Sequence, residues 1–313
     1  MKGLMSVFRK ELADNFNSMR FIILSLIMYG GGVLLTIFVA AQNIRSGVTE
    51  TTQFIFLRLF TVSGDSQLFS FPFFMSFFIP ILGIVLGFDA INGERTSGNL
   101  SRISSQPIYR DTVINGKFLA GLVTIAILVI SLVMLISGIG LRMIGVPPGP
   151  DEILRLFTFI FITIIYGAFW LALAILFSVF FDRIATSALA SIGVWIFVLI
   201  FVSLIASVIA SVVAPLGQNP GQALQIQHDQ IVSYVSLISP IVLYGQSIQA
   251  ILIPSHPVMF VVSLYYTGLE PNPLPLNQSL LIAWPQIISL IALTALCFAG
   301  SYIRFMREEI RAT

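Results

Sequence analysis

Polar and apolar positions along this chain fall into long blocks. Six stretches carry no Asp, Glu, Lys, Arg or His: 21–41, 68–88, 118–141, 156–181, 184–210 and 283–303. A helix rises about 1.5 Å per residue, so about 20 residues cross a hydrocarbon core of roughly 30 Å. Each stretch meets that length. The pattern predicts an all-α integral membrane protein with six transmembrane helices in a single domain spanning 1–313.

The segments between the blocks have their own patterns. In residues 1–20, Met5, Phe8, Leu12, Phe16 and Met19 recur at spacings of three and four, while Arg9, Lys10, Glu11 and Asp14 take other faces. That periodicity predicts an amphipathic helix on the inner leaflet. The second block carries Pro72, Pro80, Gly83 and Gly87, which predicts a kinked helix packed closely on a neighbour. Residues 211–282 are rich in Gln, Pro and Ser, yet hold apolar stretches at 231–238, 241–253 and 258–266, each too short to span. Short helices on, or dipping into, the outer face are expected there. Pairing of two of them into a re-entrant or extra spanning hairpin stays open.

Charge gives the orientation. Lys and Arg number 12 in residues 1–20, 89–117, 182–183 and 304–313, against four in 42–67 and 142–155 and none in 211–282. Positive loops stay inside, so both termini, the 89–117 loop and the Asp182-Arg183 turn are expected in the cytoplasm and 211–282 outside. The sequence pI of about 8.8 reflects this asymmetry.

Composition then narrows the function. With 57% hydrophobic and 10% charged residues the chain does not have a soluble balance, and a net charge of +2 makes no field able to hold a nucleic acid. The lone Cys297 excludes an intrachain disulfide framework. Charged residues, not a small-residue cleavage site, follow the first apolar block, so the N-terminus is expected to be retained. His228 and His256 have no second ligand at metal spacing, and Glu308-Glu309 sit in a charged tail with Arg304, Arg307 and Arg311. Neither a metal site nor an enzyme constellation is expected. The Gly116-Lys117 pair is followed by Phe118 rather than Ser or Thr, so no phosphate-cradling loop is present. No ionisable residue lies in the six blocks, which speaks against an ion-coupled carrier. Coupling energy then has to come from elsewhere.

The 89–117 loop is the most informative cytoplasmic segment. Leu100, Ile103 and Ile108 form one apolar side of a short helix, Glu94, Arg95, Arg102 and Arg110 supply polar contacts, and Pro107 ends it. Such a helix suits docking onto a soluble partner, and an ordinary charged loop reads equally well from composition.

These residues resemble a known pattern. Glu94-Arg95-x-x-Gly98-x-Leu100, then Pro107, Arg110 and Lys117, is similar to the loop between helices two and three in permease subunits of ATP-binding-cassette transporters of the type-2 exporter class. Phe8-Arg9-Lys10-Glu11-Leu12 before the first block, the six-helix count and Ile238-Ser239-Pro240 between blocks five and six extend the resemblance over nearly the whole chain. It implies that residues 1–20 form an elbow helix and that Glu94, Arg95, Gly98, Leu100, Arg102, Ile103, Pro107 and Arg110 form a coupling helix for an ATPase subunit. It further implies that Ser239 and Pro240 belong to an extracytoplasmic gate made by re-entrant helices. Two separate ATPase subunits would carry ATP and Mg, a second permease chain would complete the complex, and this chain would hold no cofactor. The setting implied is a prokaryotic plasma membrane, and the cargo a lipid, drug or peptide moved outward. A permease working mechanically with an extracytoplasmic partner in cofactor or metal-site assembly is the second reading. The long 211–282 segment departs from the family pattern and leaves the shape of the gate open.

Overall fold

A computed structural model describes residues 2–45, 54–61, 70–97, 109–216, 221–252 and 274–307, and structural statements concern these. The helices are α1 (Lys2–Asn17), α2 (Met19–Arg45), α3 (Phe71–Gly87), α4 (Asn92–Thr96), α5 (Arg110–Ile144), α6 (Pro150–Phe180), α7 (Ile184–Val213), α8 (Gln222–Ser236), α9 (Pro240–Leu252) and α10 (Leu276–Arg307), with a 3-10 turn at Leu57–Leu59. No strand occurs among the described residues. Six helices, α2, α3 continued through α4, α5, α6, α7 and α10, are long and apolar enough to cross a membrane. The pair α8 and α9 would add a seventh span by length, but it bends by 117° at its break.

The helices outrun the apolar blocks because polar residues cap them. Pro150 opens α6 with Asp151 and Glu152 in its first turn, and the Gly149 N–H donates to Glu152 Oε2 at 2.7 Å. Arg110 opens α5 with Asp111 beside it, and α5 stops at Gly145, whose φ of 74° turns its N–H onto the Leu141 carbonyl at 2.9 Å. Helix α6 therefore begins at Pro150 rather than 156 and α5 at Arg110 rather than 118, which brings Arg155 and Lys117 inside helices.

Helix α6 is the axle of the bundle, packed against α3, α5, α7, α9 and α10. Phe159, Tyr166 and Trp170 along it are fully buried. It approaches α3 closely, and the reason is the glycine pair anticipated from sequence. A Cβ on Gly83 would lie 2.8 Å from Trp170 Cβ and 2.9 Å from the Leu171 nitrogen, and one on Gly87 would lie 2.7 Å from Ala174 Cβ and 2.9 Å from the Leu171 oxygen. The two backbones meet at distances only glycine permits. Helices α2, α7 and α10 instead expose long apolar side chains, among them Leu26, Leu189, Val212 and Leu296.

Helix α1 runs alongside the start of α5 in parallel register. Gly3 lies by Thr112, Val7 by Gly116, and Asn15 Nδ2 donates to Thr124 Oγ1 at 3.3 Å. Phe8, Leu12 and Phe16 of the expected apolar stripe are half-buried, while Met5 and Met19 are exposed. The buried face is thus rotated from the stripe so as to include Glu11. At the other chain end, Arg304 of α10 lies 5.8 Å from the Phe180 ring centroid in the last turn of α6. Both described chain ends share one end of the bundle, here the terminal end. The start of α6 marks the far end.

Adding one methyl at the α3–α6 crossing should force the helices apart. Gly83→Ala and Gly87→Ala are each expected to lower stability by about 1–3 kcal/mol, read as a drop in thermal midpoint of the purified protein. Gly138→Ala, where an added Cβ meets nothing within 4 Å, should leave the midpoint equal or raised.

Candidate functional site

Two polar clusters stand at opposite ends of α6, about 35 Å apart at about 1.5 Å per residue. The terminal-end cluster gathers on Lys117, two turns into α5, whose side chain is 6% exposed. Its Nζ lies 2.9 Å from Glu11 Oε2 on α1 and 2.9 Å from Glu94 Oε1 on α4. Lys10 adds a second cation, 3.2 Å from Glu11 Oε1 and 3.6 Å from Glu94 Oε1. Burial works against the Lys10 charge, but Glu11, Glu94 and Asp14 together outweigh it and hold its amino group above the ordinary lysine range. Two lysines and two shared carboxylates thereby join α1, α4 and α5.

Helix α4 is clamped from two further sides. It has no side-chain N-cap of its own, and Ser178 of α6 supplies one, its Oγ accepting from the Ile91 N–H at 2.9 Å and the Asn92 N–H at 3.2 Å. Ser178 in turn donates to Asn92 Oδ1, and Asn92 Nδ2 donates to the Phe181 carbonyl, each at 3.2 Å. Arg95 pairs with Asp182 in the turn between α6 and α7. Arg20 of α2 donates to Asp89 at 2.6 Å and lies 5.1 Å from the Phe88 ring centroid, fixing the end of α3.

The residues expected to meet a partner thus separate. Glu94 is turned inward onto lysines, Arg95 onto Asp182, and Arg110 is half-buried at the head of α5. Gly98, Leu100, Arg102, Ile103 and Pro107 lie outside the described residues, as do His256, Glu308, Glu309 and Arg311. Tyr109, not singled out from the sequence, is 82% exposed immediately before α5.

At the far end the organising residue is Arg155, fully buried. Its Nε donates to Asp151 at 2.8 Å, Nη1 to the Ile251 carbonyl at 2.8 Å and to Ser279 Oγ at 3.3 Å, and Nη2 to the Leu274 carbonyl at 2.6 Å. The Phe54 ring centroid lies 5.0 Å from the guanidinium carbon. One side chain caps the C-terminus of α9, holds the lead into α10 and stacks on the segment before the 3-10 turn. One turn earlier, Glu152 Oε1 accepts from the Phe56 N–H at 2.9 Å. Arg155 could have been found from the Asp151-x-x-x-Arg155 spacing behind Gly149-Pro150, which reads as a helix start. The block boundary at 156 hid it.

Ser239 and Pro240 lie at the bend between α8 and α9, both buried. Ser239 Oγ accepts from the Val242 N–H at 3.4 Å and its own N–H donates to the Ser236 carbonyl at 2.9 Å, so the pair is an N-cap followed by proline at the first helical position. From there α9 lies on α6. Tyr244 stacks on Tyr166 with centroids 4.3 Å apart, and its hydroxyl lies 3.0 Å from Thr163 Oγ1. Thr163 donates to the Phe159 carbonyl, so Tyr244 is the donor. His228 Nδ1 lies 3.0 Å from the Ala214 carbonyl oxygen and donates to it, tying α8 to the end of α7. Among the described residues no three His, Cys, Asp or Glu gather at metal-binding distance.

The family model described as ABC-2 family transporter protein matches residues 5–310. No curated protein matches the chain.

Removing either hub cation should be costly. Lys117→Met leaves the Glu11 and Glu94 carboxylates to Lys10 alone and is expected to lower stability by about 3 kcal/mol, with Glu94→Gln in the same chain restoring part of the loss. Thermal melts of the single and double variants measure this. Arg155→Met leaves the Ile251 and Leu274 carbonyls without a donor, a cost of about 2–4 kcal/mol. Amide exchange over 240–252 and 276–280 should quicken at least tenfold while the α3–α6 core stays protected.

Proposed function

The chain belongs to the ABC-2 family of transporter proteins, and from that premise we propose that it is the multi-pass membrane permease of an ATP-driven exporter whose ATPase subunits are separate chains. The family implies ABC ATPase partners. The observation that carries the coupling role is the clamping of α4, which is held at once by α1, α5, α6 and the α6–α7 turn. A push on the 94–110 segment reaches four elements through Glu94, Asn92 and Arg95. In this reading 94–110 is the coupling helix, α1 the elbow, and α8 with α9 a re-entrant pair whose bend at Ser239-Pro240 gates the outer side.

Sidedness follows the charges. Arg9, Lys10, Arg20, Arg95, Arg110, Lys117, Arg183, Arg304 and Arg307 gather at the terminal end, and Arg58, Arg142 and Arg155 at the far end. The terminal end is then cytoplasmic, in the plasma membrane of a prokaryote. ATP and Mg sit on two partner subunits, since this sequence offers no phosphate loop and its central helical turns carry no charge. With a second permease chain, the same or a sister, the bundle alternates between inward- and outward-facing states by rigid-body motion of the α3–α6 unit. The uncharged helices suit a lipid-, drug- or peptide-like cargo.

The test is capture. An affinity-tagged chain solubilised from its native membrane should copurify an ATP-hydrolysing subunit. Tyr109→Asp, which alters an exposed side chain at the docking face, should cut that yield at least tenfold with an unchanged melting temperature. A wild-type chain that captures no ATPase sinks the reading.

A further inference from the structure

Between α3, α7 and α9 the far half of the bundle holds a cavity of about 340 Å³. The space opens to the outside past Gly245 and Phe73, both exposed, so it is a cleft rather than an enclosed void. Its volume falls within the roughly 300–1,000 Å³ of small-molecule sites. Helix α9 keeps the space open by using its two faces differently. Leu243, Tyr244, Ser247 and Ile251 are buried, whereas Val242, Gly245 and Gln249 line the cavity at helical spacing. A Cβ on Gly245 would meet nothing within 4 Å. The position opens onto space that a larger side chain would fill.

The lining is graded along the bundle axis. Helix α9 runs outward from Ser239 to Arg155, as the contacts of Tyr244 with Thr163 and of Ile251 with Arg155 fix. The mouth therefore carries Thr61, Ser70, Gln249 and Leu252, the middle Ser76, Gln246 and Leu199, which lies one turn beyond the Trp195 contact with Phe77, and the inner end Ile241 and Val242. No lining residue among those described is ionisable. A charge placed here would be desolvated without a partner. A neutral head group would be matched: Ser70 Oγ accepts from the Phe73 N–H and keeps its proton to donate, Thr61 Oγ1 donates to the Leu57 carbonyl and keeps lone pairs to accept, and the Gln249 carboxamide does both.

We infer that this cavity binds an uncharged single-chain amphiphile, its alkyl tail against Leu199, Ile241 and Val242 and its neutral hydrogen-bonding head at Thr61, Ser70 and Gln249. The proposal rests on the permease reading only where it makes the amphiphile a cargo. A resident membrane lipid of the same chemistry would occupy the site equally well.

The probe is a monoacylglycerol carrying a diazirine in its chain, photolysed with the full chain in phosphatidylcholine nanodiscs. Label is expected on peptides of α3 and α9, and excess plain monoacylglycerol should reduce it at least fivefold. An alkyl sulfate of equal length should not. Gly245→Leu, which fills the cavity, should lower labelling at least fivefold, and Gln249→Leu should weaken competition about tenfold. Equal labelling of both variants means bulk lipid contact only and overturns the proposal, as does equal competition by the alkyl sulfate. With the captured ATPase added, loss of label on ATP addition identifies a cargo, and label indifferent to ATP a resident lipid. Both leave the site standing, and failure to capture an ATPase removes the permease reading without touching the binding result.

Discussion

A lysine ammonium removed from water is tolerated only where carboxylates replace the solvent, and much of this structure is arranged to meet that condition at Lys117. The Nζ atom lies 2.9 Å from oxygens of both Glu11 and Glu94, which come from helices far apart in sequence. Satisfying one buried charge therefore places α1 against α5 and α4 beneath both. The same need explains the rotation of α1. A helix sorted by hydrophobicity alone would bury the stripe from Met5 to Met19, but here Met5 and Met19 are exposed while Glu11 is turned inward. Electrostatic pairing, rather than the apolar stripe alone, sets which face of α1 is buried.

From that cluster the bundle is read along α6. Its last turn caps α4 through Ser178, its middle meets α3 at Gly83 and Gly87 and α9 at Tyr166, and its first turn holds the far end through Glu152 and Arg155. A close glycine crossing resists sliding because the atoms in contact are backbone and Cβ rather than flexible side-chain ends. Helices α3 and α6 thus behave as one stiff body, and displacement at one end of α6 is delivered to the other. Helices α2, α7 and α10 have large apolar faces turned away from this body. Those faces are stable against lipid tails or the apolar face of another membrane helix.

The architecture was legible in the sequence wherever one physical term dominated. Crossing a bilayer demands about 20 uncharged residues, and the six blocks met that demand with nothing competing. The Gly83 and Gly87 spacing likewise read through to a close crossing. Helix ends were not legible from hydropathy, because capping, not apolarity, decides them. Pro150 with its acidic first turn extends α6 to include Arg155, and Asp111 helps extend α5 to include Lys117. The site was legible by residue type but not by partner. Glu94 and Arg95 looked like groups for another protein, and the structure pairs them with Lys117 and Asp182 of the same chain. Such pairings join residues from 23 to 87 positions apart, as for Glu94 with Lys117 and Arg95 with Asp182, and no local pattern encodes them.

The two clusters also differ in how they can yield, and that difference suits a machine driven from one end. At the terminal end charges are shared. Glu94 Oε1 faces both Lys10 and Lys117, and Glu11 offers one oxygen to each. Two cations over two carboxylates can trade partners as helices shift, so no charge need be exposed or stranded during movement. At the far end Arg155 donates to backbone carbonyls at Ile251 and Leu274, whose directions are fixed by the chain. A guanidinium fork has one good fit to such acceptors and loses it abruptly when they turn. The terminal cluster is therefore compliant and the far cluster brittle. A displacement of α4 would be taken up gradually by the shared ion pairs, whereas at the far end it would be resisted until the Arg155 contacts give together. Under the proposed permease reading, gradual input and abrupt output would suit a gate that stays shut through small fluctuations and opens as a unit.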